Sequence, residues 1–114
     1  MMELKKLYRD ATMLARCEIP QNDFLLFADM GARTLLSKYP KKLLLPKGQY
    51  SSPKSITDTL AISGEFYNAM IYFIAGSYLS NEKYLEESGE AASYAYIKLW
   101  RESARGKRIK GDKW

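Results

Sequence analysis

Apolar residues recur at steps of three and four along much of this 114-residue chain, which is the spacing of one face of an α-helix. In residues 3–17 the stripe has charged side chains opposite it, and its members are Leu4, Leu7, Ala11 and Leu14. Alternation typical of a strand is confined to residues 55–63 and is too short for a sheet. The pattern therefore predicts an all-α fold.

A second helix follows the interruption at Pro20. Asn22 and Asp23 carry side chains that cap helix N-termini, so we expect them to begin it. The helix should end at the Tyr39–Pro40 pair, because a proline disfavours helical geometry in the residue before it.

The third predicted helix begins near Asp58 or Ser63, ends near Ser80 and is apolar on almost every side. Such a helix is typical of the buried centre of a bundle. Its most apolar run, residues 66–79, is shorter than the roughly 20 residues of a membrane span, so we expect no membrane insertion. Small side chains that would let neighbouring helices approach are Ala69, Ala75 and Gly76.

Asn81 can cap a fourth helix, which we expect to end near Ala104, with a weak point at Ser88-Gly89. The predicted architecture is a bundle of about four helices, with a long proline-containing crossover between helices 2 and 3. The bundle domain spans residues 1–104. Residues 105–114 form a flexible basic C-terminal tail.

The crossover, residues 40–57, contains three prolines and a glycine, yet it is too apolar for an ordinary solvent-exposed loop. Its apolar residues are Leu43, Leu44, Leu45 and Tyr50. Unstructured connections of this length are uncommon in compact domains. Two interpretations stand: these residues cover one end of the core, or they contact a neighbouring subunit.

The tail, residues 105–114, holds five basic residues and one acidic residue, and so carries +4 of the formal net charge of +5. Its candidate binding residues are Arg105, Lys107, Arg108, Lys110, Lys113 and Trp114. A basic tail can neutralise nucleic-acid phosphates, dock on an acidic protein surface, or merely aid solubility. The terminal tryptophan favours docking, since tryptophan is enriched at interface hot spots.

The residues needed for common catalytic chemistry are missing. The chain has no histidine and one cysteine, Cys17, which we expect to be buried and reduced. A row of glutamates in the fourth helix, Glu82, Glu86, Glu87 and Glu90, is more typical of a helix N-terminus than of a metal site. The sequence therefore predicts a protein without enzymatic activity, cofactor or metal.

The order of features resembles the small helical head–tail connector, or adaptor, proteins of tailed bacteriophages. The resemblance rests on DFLLFADMGARTLLSKYP, residues 23–40, on the proline-rich crossover, and on the helical stretch from EFYNAMIYFIAGSYL to YIKLWRESARGK, residues 65–107. It covers most of the chain and is one of pattern, without an invariant motif.

The resemblance implies a structural virion protein, made in the bacterial host cytoplasm, that forms a twelve-fold ring below the portal, extends the DNA channel and joins the capsid to tail or neck proteins. The residue 105–114 tail would then contact the portal or transiting DNA, and the crossover leucines and Tyr50 would lie between subunits. The alternative function is a small helical nucleic-acid-binding regulator that uses the same tail.

Overall fold

The computed structural model describes residues 1–45 and 48–111, and for residues 105–111 it describes the backbone alone. This part of the chain is mostly helical, which confirms the predicted all-α bundle. Its α-helices in chain order are α1 (Leu4–Ala15), α2 (Gln21–Lys38), the short α3 (Lys41–Leu44), α4 (Tyr67–Leu79) and α5 (Glu82–Gly111).

The helix α1 lies on the bundle with the predicted stripe inward. Its buried residues are Leu4, Leu7, Ala11 and Ala15, and Leu14 is half-buried. The helix ends where Arg16 takes a left-handed conformation, with a φ of 57°. This turn leads the chain off the stripe, so Cys17 is exposed, and the prediction that it is buried is wrong.

The helix α2 starts one residue before the predicted caps. Pro20 is the N-cap residue, and its carbonyl oxygen accepts a 2.9 Å hydrogen bond from the Phe24 amide. Asn22 and Asp23 lie inside the first turn, so their predicted capping role is wrong. The end at Lys38 is as predicted, with Tyr39 extended before the following proline.

The helix α4 is the centre of the bundle, as its apolar character predicted. A 3₁₀ helix, Gly64–Phe66, leads into it, and the Ser63 hydroxyl accepts a hydrogen bond of 3.3 Å from the Glu65 amide. The helices α1, α2 and α5 all pack against α4. No helix in the described residues is long and apolar enough to cross a membrane.

The helix α5 begins as predicted, because the Asn81 side chain accepts a hydrogen bond of 3.1 Å from the Tyr84 amide. It does not break at Ser88-Gly89, and its backbone remains helical to Gly111, so the predicted end near Ala104 is wrong. One glycine inside a helix costs only about 1 kcal/mol relative to alanine, and the glutamates and alanines on either side of Gly89 are good helix formers.

A short strand pairing closes the N-terminal end of α1. The strand β1 (Met2–Glu3) pairs antiparallel with β2 (Thr59–Leu60), so residues 55–63 do contribute a strand. Met2 and Leu60 face each other in the register and are both buried. Burial of this apolar pair accounts for a strand that local alternation alone was too weak to predict.

The crossover covers one end of the core. Leu44 and Leu45 are buried within this chain, which is the first of the two predicted alternatives, so neither offers surface to a neighbouring subunit. The Leu44 carbonyl oxygen also accepts a 2.7 Å hydrogen bond from the Ser63 amide. Leu43 and Tyr50 are half-buried, and their contact with another subunit stays a prediction.

Candidate functional site

An apolar cleft lies between α2 and α5, with α4 as its floor. Its cavity volume is about 260 Å³. The α2 wall includes Gly31, Thr34 and Leu35, and the floor is made by Ala69, Met70 and Phe73. The cleft exists because both flanking helices pack on α4, while contacts between α2 and α5 are too few to close the space above it.

Glycines set the shape of this cleft. A methyl group added at Gly31 would lie 2.9 Å from the Phe73 ring, so α2 needs this glycine to approach the floor. Gly76 has the same role between α4 and α5, because an added methyl group would lie 3.0 Å from Tyr84 Cβ. At Gly89, by contrast, an added methyl group would meet nothing within 4 Å. Gly89 therefore leaves open space at the edge of the cleft.

The polar groups of the cleft are already satisfied or lie at its rim. Ser88 is buried, and its hydroxyl donates a 2.7 Å hydrogen bond to the Ala69 carbonyl oxygen. Of the described residues that line the cleft, Lys38 and Tyr39 alone carry ionisable groups. The Tyr39 ring stacks on Tyr96 with 4.9 Å between ring centroids. The lining suits an apolar side chain better than a reacting substrate.

Large apolar side chains are exposed on the two helices that flank the cleft. On α2, Leu26 is 55% exposed and Met30 is 44% exposed. On α5, Leu85 lines the cleft and is also partly exposed, and Tyr94, Ile97 and Trp100 follow it along the helix. Of these residues, Leu85 belongs to the described lining of the cleft, and single exposed apolar residues are ordinary on protein surfaces.

A hydrogen-bonded cluster fixes the crossover to α2. The Asp29 carboxylate accepts hydrogen bonds from the Tyr50 hydroxyl at 2.5 Å, the Ser52 hydroxyl at 2.8 Å and Arg33 Nε at 3.1 Å. Partial burial acts to raise the pKa of Asp29, but the three hydrogen bonds together outweigh it and hold the pKa below its usual value. Burial, and then the bond to Asp29, raise the pKa of Tyr50. The sequence pattern did not predict this cluster, although the Asp29–Arg33 spacing is a recognisable helical ion pair.

A second carboxylate–tyrosine pair joins α1 to α4. The Tyr67 hydroxyl donates a hydrogen bond to the Asp10 carboxylate. This bond is the main reason why the pKa of Asp10 lies below its usual value, and burial and the same bond raise the pKa of Tyr67. Both carboxylate–tyrosine pairs lie outside the cleft, and each joins two parts of the bundle by a hydrogen bond.

Where their side chains are described, the predicted charged sites do not come together in one cluster. The glutamates at positions 82, 86, 87 and 90 are exposed, and no group of three potential metal ligands occurs among residues whose side chains are described. The side chains of Arg105, Lys107, Arg108 and Lys110 lie outside the described residues, as do Lys113 and Trp114 entirely. Their role in binding stays a prediction.

Comparison with known proteins identifies no family: no family model matches the chain, and neither a curated protein nor a solved structure shows significant similarity to it.

Proposed function

We propose that this chain is a non-enzymatic structural subunit of the head–tail connector type, which works by docking on other protein chains. Its assembled form would be a ring below a phage portal. The observation that carries the proposal is the apolar cleft between α2 and α5, which offers an open space of about 260 Å³ but no pair of reactive groups.

The cleft suits a side chain from a neighbouring protein. Its volume is sufficient for a large apolar side chain, and burial of such a side chain stabilises a complex by about 1.5–3 kcal/mol. Leu85, which lines the cleft and is 37% exposed, would extend the contact to the rim of the cleft. A heterologous contact of this kind, in which the cleft receives a different surface of the next subunit, closes into a ring when the rotation per subunit allows it.

The C-terminal end of α5 supplies the second docking element of the proposal. Leu99 still packs against the core, and the backbone of this helix continues to Gly111. At 1.5 Å per residue, the 12 residues after Leu99 span about 18 Å. The five basic residues at 105–113 would therefore meet a portal or the transiting DNA at a distance from the cleft.

The test is negative-stain electron microscopy of the purified chain, alone and mixed with a purified portal ring. The proposal predicts added ring density on the portal, and it predicts loss of that density for a chain that lacks residues 105–114. The variant Gly89→Ala should also reduce assembly, because its methyl group narrows the edge of the cleft and meets no other atom of the chain within 4 Å. Glu87→Gln, on the same helix but outside the cleft lining, is the matched control. Portal rings without added density would contradict the proposal.

The second candidate function is nucleic-acid binding, and the length of α5 favours it. A helix that continues to Gly111 puts basic residues from position 101 to position 110 on one helical segment, which is a form that can enter a major groove. This function predicts that the isolated chain binds duplex DNA and that the affinity falls steeply with salt. The connector function predicts weak binding by the isolated chain at every salt concentration.

A further inference from the structure

The outward face of α5 carries a stripe that no other part of the described chain covers. Glu90, Tyr94, Ile97 and Arg101 follow one another at steps of four, three and four, so they lie on one side of the helix. All four are exposed, and Tyr94 is exposed to 80%. Glu90 and Arg101 form no ion pair with another residue whose side chain is described.

Opposite charges stand at the two ends of this stripe. The acidic residue Glu90 lies toward the N-terminus and the basic residue Arg101 toward the C-terminus, with the apolar pair between them. The midpoint between residues 95 and 96 is equally far from Tyr94 and Ile97, and equally far from Glu90 and Arg101. A two-fold axis through this point would place each residue opposite a residue of complementary chemistry.

We propose that two copies of this chain pair through α5 in antiparallel orientation, with Tyr94 of each copy against Ile97 of the other and Glu90 of each against Arg101 of the other. The shallow depression beside Tyr94 and Ile97, bordered by Gly89 and Ser93, would receive the Tyr94 ring of the second copy. Aromatic side chains in such positions supply much of the energy of protein interfaces.

The two charged residues favour a second copy of this chain as the partner, and they favour the antiparallel orientation. In a parallel pair, Glu90 would meet Glu90 and Arg101 would meet Arg101, which is unfavourable between like charges. In the antiparallel pair, both contacts join opposite charges. The helix dipoles also oppose each other favourably in this arrangement. A second copy carries the matching pattern by symmetry, so no other partner is needed to explain the order of the residues.

This pairing goes beyond the proposed ring function and does not depend on it. The contact is isologous, uses the outer face of α5, and closes after two copies, whereas a ring needs a heterologous contact such as the one proposed for the cleft. Portal binding and α5 pairing can therefore succeed or fail separately.

The test is sedimentation equilibrium of the full chain over a wide concentration range in dilute salt. We expect a reversible increase from 13.1 kDa to twice that mass. Glu90→Arg alone, and Arg101→Glu alone, should each weaken the dimer at least about tenfold, because each puts two like-charge contacts into the interface. The double variant, E90R with R101E, should restore the dimer.

The control is Lys5→Glu, which reverses an exposed charge on α1 and should leave the dimer unchanged. Circular dichroism verifies that each variant remains folded. A wild-type chain that stays at 13.1 kDa overturns the proposal. So does a dimer that both single variants leave intact, or a double variant as weak as the single ones, since either result places the contact elsewhere or in another direction.

Discussion

The Tyr50 hydroxyl donates a 2.5 Å hydrogen bond to the Asp29 carboxylate, which joins the middle of the crossover to the middle of α2. Tyr50 is half-buried, and the Arg33 guanidinium lies over its ring at 5.6 Å from the centroid. One hydroxyl thus connects the part of the crossover after residue 48, which is neither helix nor strand, to α2.

Tyr50→Phe should lower the free energy of unfolding by about 1–2 kcal/mol, because the charged acceptor loses one donor while the ring packing remains. Urea denaturation followed by circular dichroism measures the change. Tyr72→Phe removes a hydroxyl from another half-buried ring, one that forms no hydrogen bond with a described residue, and it should leave the stability within about 0.5 kcal/mol of wild type. Equal stability of the two variants would show that the Asp29 bond contributes nothing.

Stability should fall in acid because of the two carboxylate–tyrosine pairs. Folding lowers the pKa of Asp10 and of Asp29, so the unfolded chain binds more protons than the folded chain at acid pH. The stabilisation is complete above the unfolded pKa of about 4 and is lost as the pH falls through the lower folded values. Between about pH 5 and pH 7 the stability should be nearly constant, because the chain has no histidine.

Urea midpoints from pH 7 to pH 2.5 measure this dependence. The variant Asp10→Asn, combined with Asp29→Asn, should be less stable at pH 7 and should show a smaller loss in acid than wild type. A wild-type midpoint that rises as the pH falls from 5 to 3 would contradict the assignment.

Two glycines of neighbouring helices should respond oppositely to alanine. Gly89→Ala should raise the free energy of unfolding by about 1 kcal/mol, since the methyl group meets open space and alanine is the better helix former. Gly76→Ala should lower it, because the methyl group would lie 3.0 Å from Tyr84 Cβ, an atom that cannot move without shifting α5. Thermal unfolding of the two variants beside wild type gives both signs. If Gly89→Ala were destabilising, the space beside Gly89 would not be open.

The thiol of Cys17 should react with a water-soluble disulfide reagent in the folded protein, because the residue is exposed after the end of α1. We expect one thiol per chain to be modified in native buffer, at a rate within about tenfold of the rate in denaturant. A thiol that reacts in denaturant alone would place Cys17 inside the core.

Local pattern predicted the helices well and their ends less well. The all-round apolar sequence of α4 and the cap at Asn81 are local signals, and the structure confirms them. The start of α2 at Gln21 depends on the Pro20 carbonyl, which a search for polar caps overlooks. The pairing of Met2 with Leu60 joins residues far apart in the chain, so local pattern cannot predict it.

The candidate site was less accessible to prediction than the fold. The cleft depends on the distance between α2 and α5. Packing of both helices on α4 determines this distance, so it cannot be predicted from a local sequence pattern. Gly89 was visible only as a weak point in a helix, and its open side became evident from the structure. The basic residues at 105–113 were evident from charge alone, but α5 extends into them further than the glycines suggested.

We propose that this chain acts by contact with protein rather than by binding DNA. Sedimentation velocity of the concentrated chain, mixed with a fluorescent duplex in dilute salt, discriminates between the two functions. We predict that the protein sediments as a species heavier than 13.1 kDa and that the duplex sediments at its own rate. A monomeric protein that carries the duplex to a faster boundary, and releases it when salt is added, would contradict the claim.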